Sequence, residues 1–275
     1  MIFLLTDFGL ENHYAGVMKA VILAHDESIR IVDLTHGIAP GAVADAAFEL
    51  WAVWPYIAVG SVVVAVVDPG VGTQRRALAL RAGSRFLVGP DNGIFSDVLA
   101  VSEVDEAVML AGPQHENECG ATFDGRDIFA PAAARIATGT SLADLGKRID
   151  PMSLTRLAIE PAATVGDSLF ATVRRIDRFG NVITNCGASL FGAWRRGTGR
   201  LMCIGGAGAF DVDFVSAYAE SVPGTLAALI NSSGLLELAV NGGRASELIW
   251  GEGRLRVGIG CSAGDSARRL EFRRS

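Results

Sequence analysis

An unbroken run of β-branched and small apolar residues is the feature that most constrains what this chain can fold into. Residues 61–67 read SVVVAVV, which is typical of a strand buried on both faces, as in a sheet covered by helices. The strand ends at Asp68, and a turn rich in proline and glycine (residues 69–72) leads to Arg75 and Arg76. In open α/β sheets ligands bind beyond the carboxyl ends of the strands, so the segment predicts a carboxylate and a guanidinium in a binding site. The alternative is that Asp68 only caps the turn and the arginines lie on the surface.

The N-terminal part of the chain alternates between strand patterns and helix patterns. Strands are predicted at Ile2–Leu5, Arg30–Asp33 and Ser61–Val67, with a hairpin at Ala77–Ala82 and Arg85–Val88. Helices are predicted at Tyr14–His25, Val43–Val53 and Ile128–Thr138. This alternation is typical of a mostly parallel sheet sandwiched by helices, and it predicts an α/β domain over residues 1–160.

The pattern changes after residues 151–167, a segment with two prolines and no firm periodicity. Short strands separated by Gly and Asn turns are predicted at Leu169–Ile176, Leu226–Ile230, Leu235–Val240 and Arg254–Ile259. Such strands favour a small antiparallel barrel or sandwich. The sequence therefore predicts a smaller C-terminal antiparallel β-barrel domain over residues 168–275.

Composition and charge exclude several classes of protein. Half of the residues are apolar and 20% are charged, which is typical of a compact globular chain, and the net charge of −6 argues against a nucleic-acid partner. The four cysteines form no CxxC pair, which predicts reduced thiols and no zinc site. Residues 51–67 carry no charge, but Pro55 and Gly60 interrupt the run, so no membrane span is predicted. Because no basic segment of a signal peptide precedes Thr6, we expect a soluble, cytoplasmic protein.

Two polar segments adjoin predicted secondary structure in the N-terminal domain. Asp7 follows the first strand, where one carboxylate can accept hydrogen bonds from two vicinal ribose hydroxyls. The alternative is that Asp7 caps the following helix. Residues 122–131 gather three charges ahead of an apolar helix. Asp124 is there either part of a site or an exposed neighbour of a structural Arg126–Asp127 ion pair.

Three further segments combine turn chemistry with candidate functional groups. Residues 89–93 (GPDNG) predict a turn that shapes a pocket through its backbone. Residues 177–181 (DRFGN) contain a Phe that a turn does not need. Residues 231–243 place hydroxyls and amides on loops around a strand, which suits a zwitterionic amino-acid group. An ordinary hairpin is the alternative for this last segment.

Seven motifs follow one another along nearly the whole chain. They are TDFG (6–9), DLTH (33–36), VVDPGVGTQRR (66–76), GPDNG (89–93), TFDGRDIFAPAAA (122–134), IDRFGNVITN (176–185) and NSSGLLELAVNGG (231–243). In this order they resemble the S-adenosylmethionine hydroxide adenosyltransferases, the hydrolytic relatives of the fluorinating and chlorinating S-adenosylmethionine enzymes. The resemblance implies a homotrimer that binds S-adenosylmethionine between the N-terminal domain of one subunit and the C-terminal domain of the next. The implied reaction with water gives adenosine and methionine and needs no cofactor or metal.

The resemblance also implies roles for single residues. Asp7 would hold the ribose hydroxyls, and Asp68 and Arg75 would surround the attacking water. The residues that would face the ribose, the adenine edge or the methionine end are Asp177, Asn181, Ser232 and Ser233. The residues that would line the rest of the pocket are Glu237 and the backbone from Val240 to Gly242.

One position departs from the family pattern, which reads TFHGRD where this chain reads TFDGRD. Asp124 thus replaces a histidine that would complete the group around the water. Two carboxylates near one water repel each other, and Arg75 would offset this if it lies between them. His115 lies nine residues upstream of Asp124, but its spacing does not show that it reaches the site. The sequence leaves open whether activity is retained, slowed or redirected.

Three other functions compete with hydrolysis. A non-catalytic protein that binds S-adenosylmethionine or adenosine would account for the missing histidine. A 5′-halogenase of the same family is disfavoured, because those enzymes carry a tyrosine where this chain has Asp68 and a carboxylate repels a halide, although Gly125 resembles the chlorinase pattern. A phosphohydrolase would gather Asp7, Asp68, Asp91 and Asp124 around Mg²⁺, but the sequence has no glycine-rich phosphate loop ahead of a helix.

Overall fold

The computed structural model describes residues 1–112, 122–196, 201–251 and 269–274. These residues form two compact units, one up to residue 157 and the other from residue 158 onward. His115 and the strand predicted at Arg254–Ile259 lie outside the described residues. Within the described ranges, no helix has both the length and the apolar character needed to cross a membrane.

The N-terminal unit is built around a seven-stranded sheet. Its elements are β1 (Ile2–Thr6), α1 (Tyr14–His25), β2 (Ile31–Thr35), α2 (Val43–Val53), β3 (Val62–Val66), β4 (Ala77–Ala82), β5 (Arg85–Pro90), α3 (Val98–Val101), β6 (Val104–Leu110), α4 (Ala130–Ala137) and β7 (Gly146–Arg148). The strand order is β2-β1-β3-β5-β4-β6-β7. Strands β2, β1, β3 and β5 pair in parallel, whereas β4, β6 and β7 each pair antiparallel with their neighbours. The predicted mostly parallel sheet and its β4–β5 hairpin are confirmed, and β6 and β7 extend the sheet beyond the predicted strands.

The alternation of side chains along the central strands accounts for the helices on both faces. Leu4 and Val64 pack with residues of α1 and α4 on one face of the sheet. Leu5 and Val63 pack with residues of α2 on the other face, because successive side chains of a strand point to opposite sides. All five residues of β3 are buried, as the sequence pattern of this strand predicts.

The helix predicted at Ile128–Thr138 differs from prediction in its first turn. Residues Gly125–Phe129 form a π-helical turn, and only Ala130–Ala137 is α-helical. Pro131 lies in the first turn of α4 and has no N–H to donate to the π-helical turn that precedes it. A Cβ at position 125 would lie 2.8 Å from the ring of Phe123, so any larger residue would have to displace that ring. The turn follows Asp124 directly and thereby fixes the position of that residue.

The C-terminal unit is a closed barrel. Its elements are β8 (Ala163–Val165), β9 (Ser168–Ile176), β10 (Val182–Gly187), α5 (Ala188–Trp194), β11 (Leu201–Gly205), β12 (Gly208–Phe214), β13 (Leu226–Ile230), β14 (Leu235–Val240), α6 (Ala245–Trp250) and β15 (Arg269–Arg274). Seven strands close in the order β10-β14-β13-β12-β11-β15-β9, since β9 also pairs with β10, and β8 adds to the outside of β9. The predicted small β-barrel is confirmed.

One pair of strands in the barrel is parallel, which makes the barrel mixed. β12 and β13 are joined by a connection long enough to carry a 3-10 turn at Tyr218–Glu220, so β13 can return in the direction of β12. Inside the barrel, Phe191 and Trp194 of α5 pack against strand residues. Cys186 and Cys203 are free and buried there, and burial raises the pKa of their thiols to about 11 and about 12. Cys119 and Cys261 lie outside the described residues.

Candidate active site

A cavity of about 490 Å³ opens at the carboxyl end of the parallel strands in the N-terminal unit. Asp7 follows β1 and Asp68 follows β3, and these strands are paired in parallel with Thr6 opposite Val66, so both carboxylates lie at the same edge of the sheet. Asp124 reaches the cavity from the segment before α4, and Phe8 and Phe123 contribute apolar walls. The structure thus brings together three carboxylates that the sequence analysis selected separately.

Asp68 and Arg75 are held together by the turn between β3 and β4. The N–H of Val71 donates to the carbonyl of Asp68 at 3.2 Å, and the N–H and the hydroxyl of Thr73 both donate to the carbonyl of Gly70. The chain therefore folds back within a few residues. Arg75 Nε donates to Asp68 Oδ2 at 2.8 Å, and the N–H of Gly70 donates to Asp68 Oδ1 at 3.2 Å.

Arg75 also joins the two carboxylates of the site. Its Nη2 donates to Oδ2 of both Asp68 and Asp124. The three side chains are little exposed: 12% for Arg75, 5% for Asp68 and 15% for Asp124. Burial alone would lower the pKa of Arg75, but hydrogen bonds and charge from Asp68 and Asp124 outweigh it and raise that pKa. The guanidinium between the carboxylates therefore stays charged and offsets their repulsion.

Asp124 is not an exposed neighbour of the Arg126–Asp127 ion pair, which was the alternative to a place in the site. Arg126 and Asp127 do form an ion pair, with Nε donating to Oδ1 at 2.7 Å and Nη2 donating to Oδ2 at 2.8 Å. Asp124 takes no part in that pair and is not an exposed residue, because it lines the cavity and accepts a hydrogen bond from Arg75.

Asp7 lies in the same cavity and does not cap a helix. Helix α1 begins at Tyr14, several residues further along, so the capping alternative for Asp7 is wrong. The N–H of Gly41 donates to Asp7 Oδ2 at 2.8 Å. Burial raises the pKa of Asp7, and this effect exceeds the opposing effect of the Gly41 hydrogen bond.

The turn that carries Asp7 is supported by a residue to which the sequence assigned no role. His36, from the DLTH motif, is buried; its Nδ1 lies 2.8 Å from Thr6 Oγ1, and its carbonyl accepts a hydrogen bond from the N–H of Gly9. Its Nε2 lies 3.2 Å from Asp33 Oδ1. His36 therefore fixes the backbone on both sides of Asp7. The signal in the sequence was a His three residues after a predicted strand, within the DLTH motif.

The C-terminal unit carries the other predicted site residues in two groups. In the first group, Asp177 and Asn181 are hydrogen-bonded to each other within one turn. The N–H groups of Phe179 and Asn181 both donate to Asp177 Oδ1 at 2.9 Å, and Asn181 Nδ2 donates to Asp177 Oδ2 at 3.1 Å. Phe179 is exposed at the tip of this turn.

The second group surrounds Glu237, whose side chain is buried. Its carboxylate accepts hydrogen bonds from the Tyr218 hydroxyl at 2.7 Å and from Asn231 Nδ2 at 3.0 Å. Tyr218 is not among the residues predicted from the sequence. Burial, the bond to Glu237 and the charges of Glu237 and Asp177 all raise the pKa of Tyr218.

Three predicted residues adjoin the Glu237 group without bonding to its carboxylate. Ser232 and Ser233 are exposed on the turn between β13 and β14, where the N–H of Ser233 donates to Asn231 Oδ1 at 3.0 Å. Val240 is half-buried at the end of β14. The barrel therefore presents polar side chains at the ends of β9, β13 and β14.

The geometry disfavours a magnesium site built from the four aspartates of the N-terminal unit. Asp68 is bonded to Arg75, and Asp91 is bonded to Arg76 with its side chain 5% exposed. Among the described residues, no three His, Cys, Asp or Glu side chains are grouped so that they could hold a metal ion.

Comparison with known proteins shows to which family the chain is similar. Residues 2–146 match the model of the SAM hydroxide adenosyltransferase N-terminal domain, and residues 171–252 match that of the C-terminal domain. An "(R)-S-adenosyl-L-methionine hydrolase" of Salinispora arenicola is 39% identical over 89% of this chain and 91% of that protein. A protein of the same name from Thermus thermophilus is 38% identical over 90% and 94% of the respective chains. More distant relatives, at 25% identity, are named fluorinases.

A solved structure resembles the chain over its full length. The crystal structure of an uncharacterized conserved protein from Thermotoga maritima covers 100% of both chains with a TM-score of 0.86 and 31% sequence identity. The match of both domain models, the identity to the curated relatives and this shared fold all agree with the resemblance inferred from the motifs. The chain belongs to the SAM hydroxide adenosyltransferase family.

Proposed function

We propose that this protein hydrolyses S-adenosyl-L-methionine to adenosine and L-methionine by attack of water at C5′. The observation that carries the proposal is the pair of carboxylates, Asp68 and Asp124, joined by Arg75 in the cavity of a chain that belongs to this family. The relatives' names specify the (R) form of the substrate. Since the methionine part is already L, (R) refers to the sulfonium centre.

The proposed reaction is a single substitution at C5′ that needs few catalytic groups. The oxygen of water forms a bond to C5′ while the bond from C5′ to sulfur breaks, and the electron pair of that bond leaves with sulfur as a neutral thioether. No general acid is needed for such a leaving group. We propose that Asp68 orients the water and accepts its proton, which is worth about 10²–10⁴-fold in rate. Arg75 fixes Asp68, and Asp124 accepts a second hydrogen bond from the water.

Substrate binding is divided between the two sets of predicted residues. We propose that Asp7 accepts hydrogen bonds from the ribose hydroxyls. The residues proposed to bind the adenine edge and the methionine end are Asp177, Asn181, Ser232, Ser233, Glu237 and Val240. By family resemblance, these come from the neighbouring subunit of a cytoplasmic homotrimer. Light scattering of the purified protein tests that oligomeric state.

The test is incubation of the purified protein with each sulfonium epimer of S-adenosyl-L-methionine, with EDTA and without halide. Adenosine and methionine are followed by chromatography, and we expect them in equal amounts from the (R) epimer. Activity that requires added Mg²⁺ would refute the proposed metal-independent mechanism. Chloride-dependent formation of 5′-chloro-5′-deoxyadenosine would establish a halogenase instead, although two carboxylates in the cavity disfavour an anionic nucleophile.

A second candidate, a non-catalytic binder, is favoured by one observation, the presence of Asp124 where the family pattern has histidine. Isothermal titration with adenosine separates this candidate from the enzyme. Adenosine binding with both epimers left intact would show that this protein binds without turnover.

A further inference from the structure

Two neighbouring residues of the GPDNG segment contact both ends of the loop that carries Asp68 and Arg75. Asn92 Nδ2 donates to the carbonyl of Val67, the residue before Asp68, at 2.8 Å. At the other end, Arg76 Nε donates to Asp91 Oδ2 at 2.7 Å, and the N–H of Asp91 donates to the carbonyl of Arg76 at 3.0 Å. The loop from Asp68 to Arg75 is therefore anchored immediately before its first residue and immediately after its last.

The anchor at Arg76 is itself braced from a second segment. The N–H of Thr155 donates to the other carboxylate oxygen of Asp91 at 2.9 Å. Arg76 Nη1 donates to Ser153 Oγ at 3.0 Å, and its Nη2 donates to the carbonyl of Ser153 at 2.5 Å. Arg76 Nη2 also lies 2.5 Å from Asp91 Oδ2. Both oxygens of Asp91 and all three guanidinium nitrogens of Arg76 therefore have hydrogen-bond or ion-pair partners.

We propose that Asp91 and Asn92 are positioning residues for the reaction: together they form a clamp that sets the separation between Asp68 and Arg75. The proposal rests on the proposed function, in which those two residues act on the attacking water. Asp91 and Asn92 do not line the 490 Å³ cavity, so they act through the loop and not on the substrate.

The composition of the loop explains why a clamp is needed. Gly70 and Gly72 can adopt more backbone conformations than other residues, and Gly72 has a positive φ of 78°. The internal hydrogen bonds of the turn involve only residues 68–75 and do not tie it to the sheet. A displacement of about 1 Å at a catalytic group can cost up to roughly 100-fold in rate. The internal hydrogen bonds give the turn its shape, and the clamp fixes both of its ends relative to the sheet.

The first test compares Asp91→Asn with a matched control, Asp105→Asn. Asp105 also pairs with an arginine of the same sheet, Arg81, but at 3.4 Å and with both side chains nearly half exposed. We expect Asp91→Asn to lower kcat roughly 10- to 100-fold with KM changed by no more than about twofold, and Asp105→Asn to leave both unchanged. A fall in melting temperature for Asp91→Asn without a fall in kcat would overturn the proposal.

A double-mutant cycle separates positioning from general destabilisation. If Asp91 acts only through Asp68 and Arg75, then Asp68→Asn combined with Asp91→Asn loses no more activity than Asp68→Asn alone. Losses that multiply would assign Asp91 an effect independent of the loop and would contradict the clamp. Asn92→Ala, which removes the other anchor, gives a second cycle with the same expectation.

A readout that does not depend on hydrolysis keeps the two proposals distinguishable. The ¹⁵N–¹H resonance of Arg75 Nε, identified by its loss in Arg75→Lys, reports the hydrogen bond to Asp68. We expect this resonance to shift in Asp91→Asn and in Asn92→Ala but not in Asp105→Asn. An unchanged resonance in both clamp variants would refute the clamp, whereas the epimer incubation alone decides whether the protein is a hydrolase.

Discussion

Replacing Asp68 by Asn is the most direct test of the proposed chemistry, because the structure allows the change with little cost to the fold. Two Arg75 donors, Nε and Nη2, converge on Asp68 Oδ2, whereas Oδ1 accepts from the N–H of Gly70, the single donor to it among the described residues. An asparagine whose carbonyl oxygen takes the Oδ2 position keeps both guanidinium bonds. Its amide group then faces the N–H of Gly70 and forfeits one long hydrogen bond, a loss of about 1 kcal/mol.

The cost to catalysis is expected to be much larger. An amide cannot accept the proton of the attacking water, so the contribution of a general base, about 10²–10⁴-fold, is lost. At about 1.36 kcal/mol for each tenfold, this raises the activation barrier by roughly 3–5 kcal/mol. KM should change much less, by no more than the roughly fivefold expected when one negative charge near a cationic substrate is removed, because Asp68→Asn leaves Asp7, the residue proposed to bind the ribose, unchanged.

The assay measures kcat and KM for adenosine release from the (R) epimer, with Asp124→Asn as the comparator. Asp124→Asn is the same isosteric change on the same guanidinium, but it removes a carboxylate that holds only one of the two Arg75 donors. We expect a smaller loss for it, roughly tenfold. An unchanged kcat in Asp68→Asn would remove Asp68 from the mechanism. A large loss in Asp124→Asn with a small one in Asp68→Asn would make Asp124 the base. Melting temperature and adenosine titration control for misfolding.

Two further predictions concern the half-buried carboxylate of Asp7 and the buried carboxylate of Glu237. Burial raises the pKa of Asp7 above its unfolded value, so its carboxylate destabilises the fold at neutral pH and this penalty disappears as pH falls through that pKa. Asp7→Asn should therefore raise the melting temperature at pH 7 but not at pH 3, while adenosine titration shows weaker binding; an unchanged affinity would remove Asp7 from the ribose site. Tyr218→Phe deprives the buried Glu237 of one of the two side-chain donors that the described residues provide, and it should lower the free energy of unfolding in urea by about 1–3 kcal/mol. A loss within error would show that Glu237 is satisfied without Tyr218.

The N-terminal fold could be predicted largely from local sequence, and the barrel only in part. Helices α1 and α2 have the predicted bounds, because continuous apolar patterns and flanking turns define them. In the barrel, β13 and β14 also have the predicted bounds, but β11 (LMCIG) and α5 (ASLFGAW) were missed. Both contain glycine and lack a clear period. They are stabilised by Phe191, Trp194 and other side chains packing across the barrel, which is long-range information.

The candidate residues for substrate binding and catalysis were easier to select from the sequence than the residues that hold them in place. Asp7 and Asp68 each follow a strand, and the rule that ligands bind at the carboxyl ends of parallel strands selects them without a structure. His36, Asp91 and Tyr218 contact partners distant in the chain, which local sequence patterns do not reveal. The resemblance of motifs drew attention to the segments of the first two but gave their side chains no function.

Asp124 shows how a departure from a family pattern can be accommodated and what it should change. The structure places Arg75 between Asp68 and Asp124, so these three side chains carry a net charge of −1, where a neutral histidine would leave the group neutral. A negative cavity favours the cationic sulfonium before reaction more than the transition state, in which the charge on sulfur is fading. For charges about 4 Å apart this amounts to about 1 kcal/mol even at the dielectric constant of water, or roughly fivefold.

Asp124→His, measured at pH 8 where an ordinary imidazole is neutral, should therefore raise KM and kcat together by about that factor. A rise in kcat at constant KM would instead mean that histidine contributes through its contact with the water and not through charge. A fall in both would show that Arg75 needs two carboxylates to remain in place, and that in this chain Asp124 has become part of the support for Asp68.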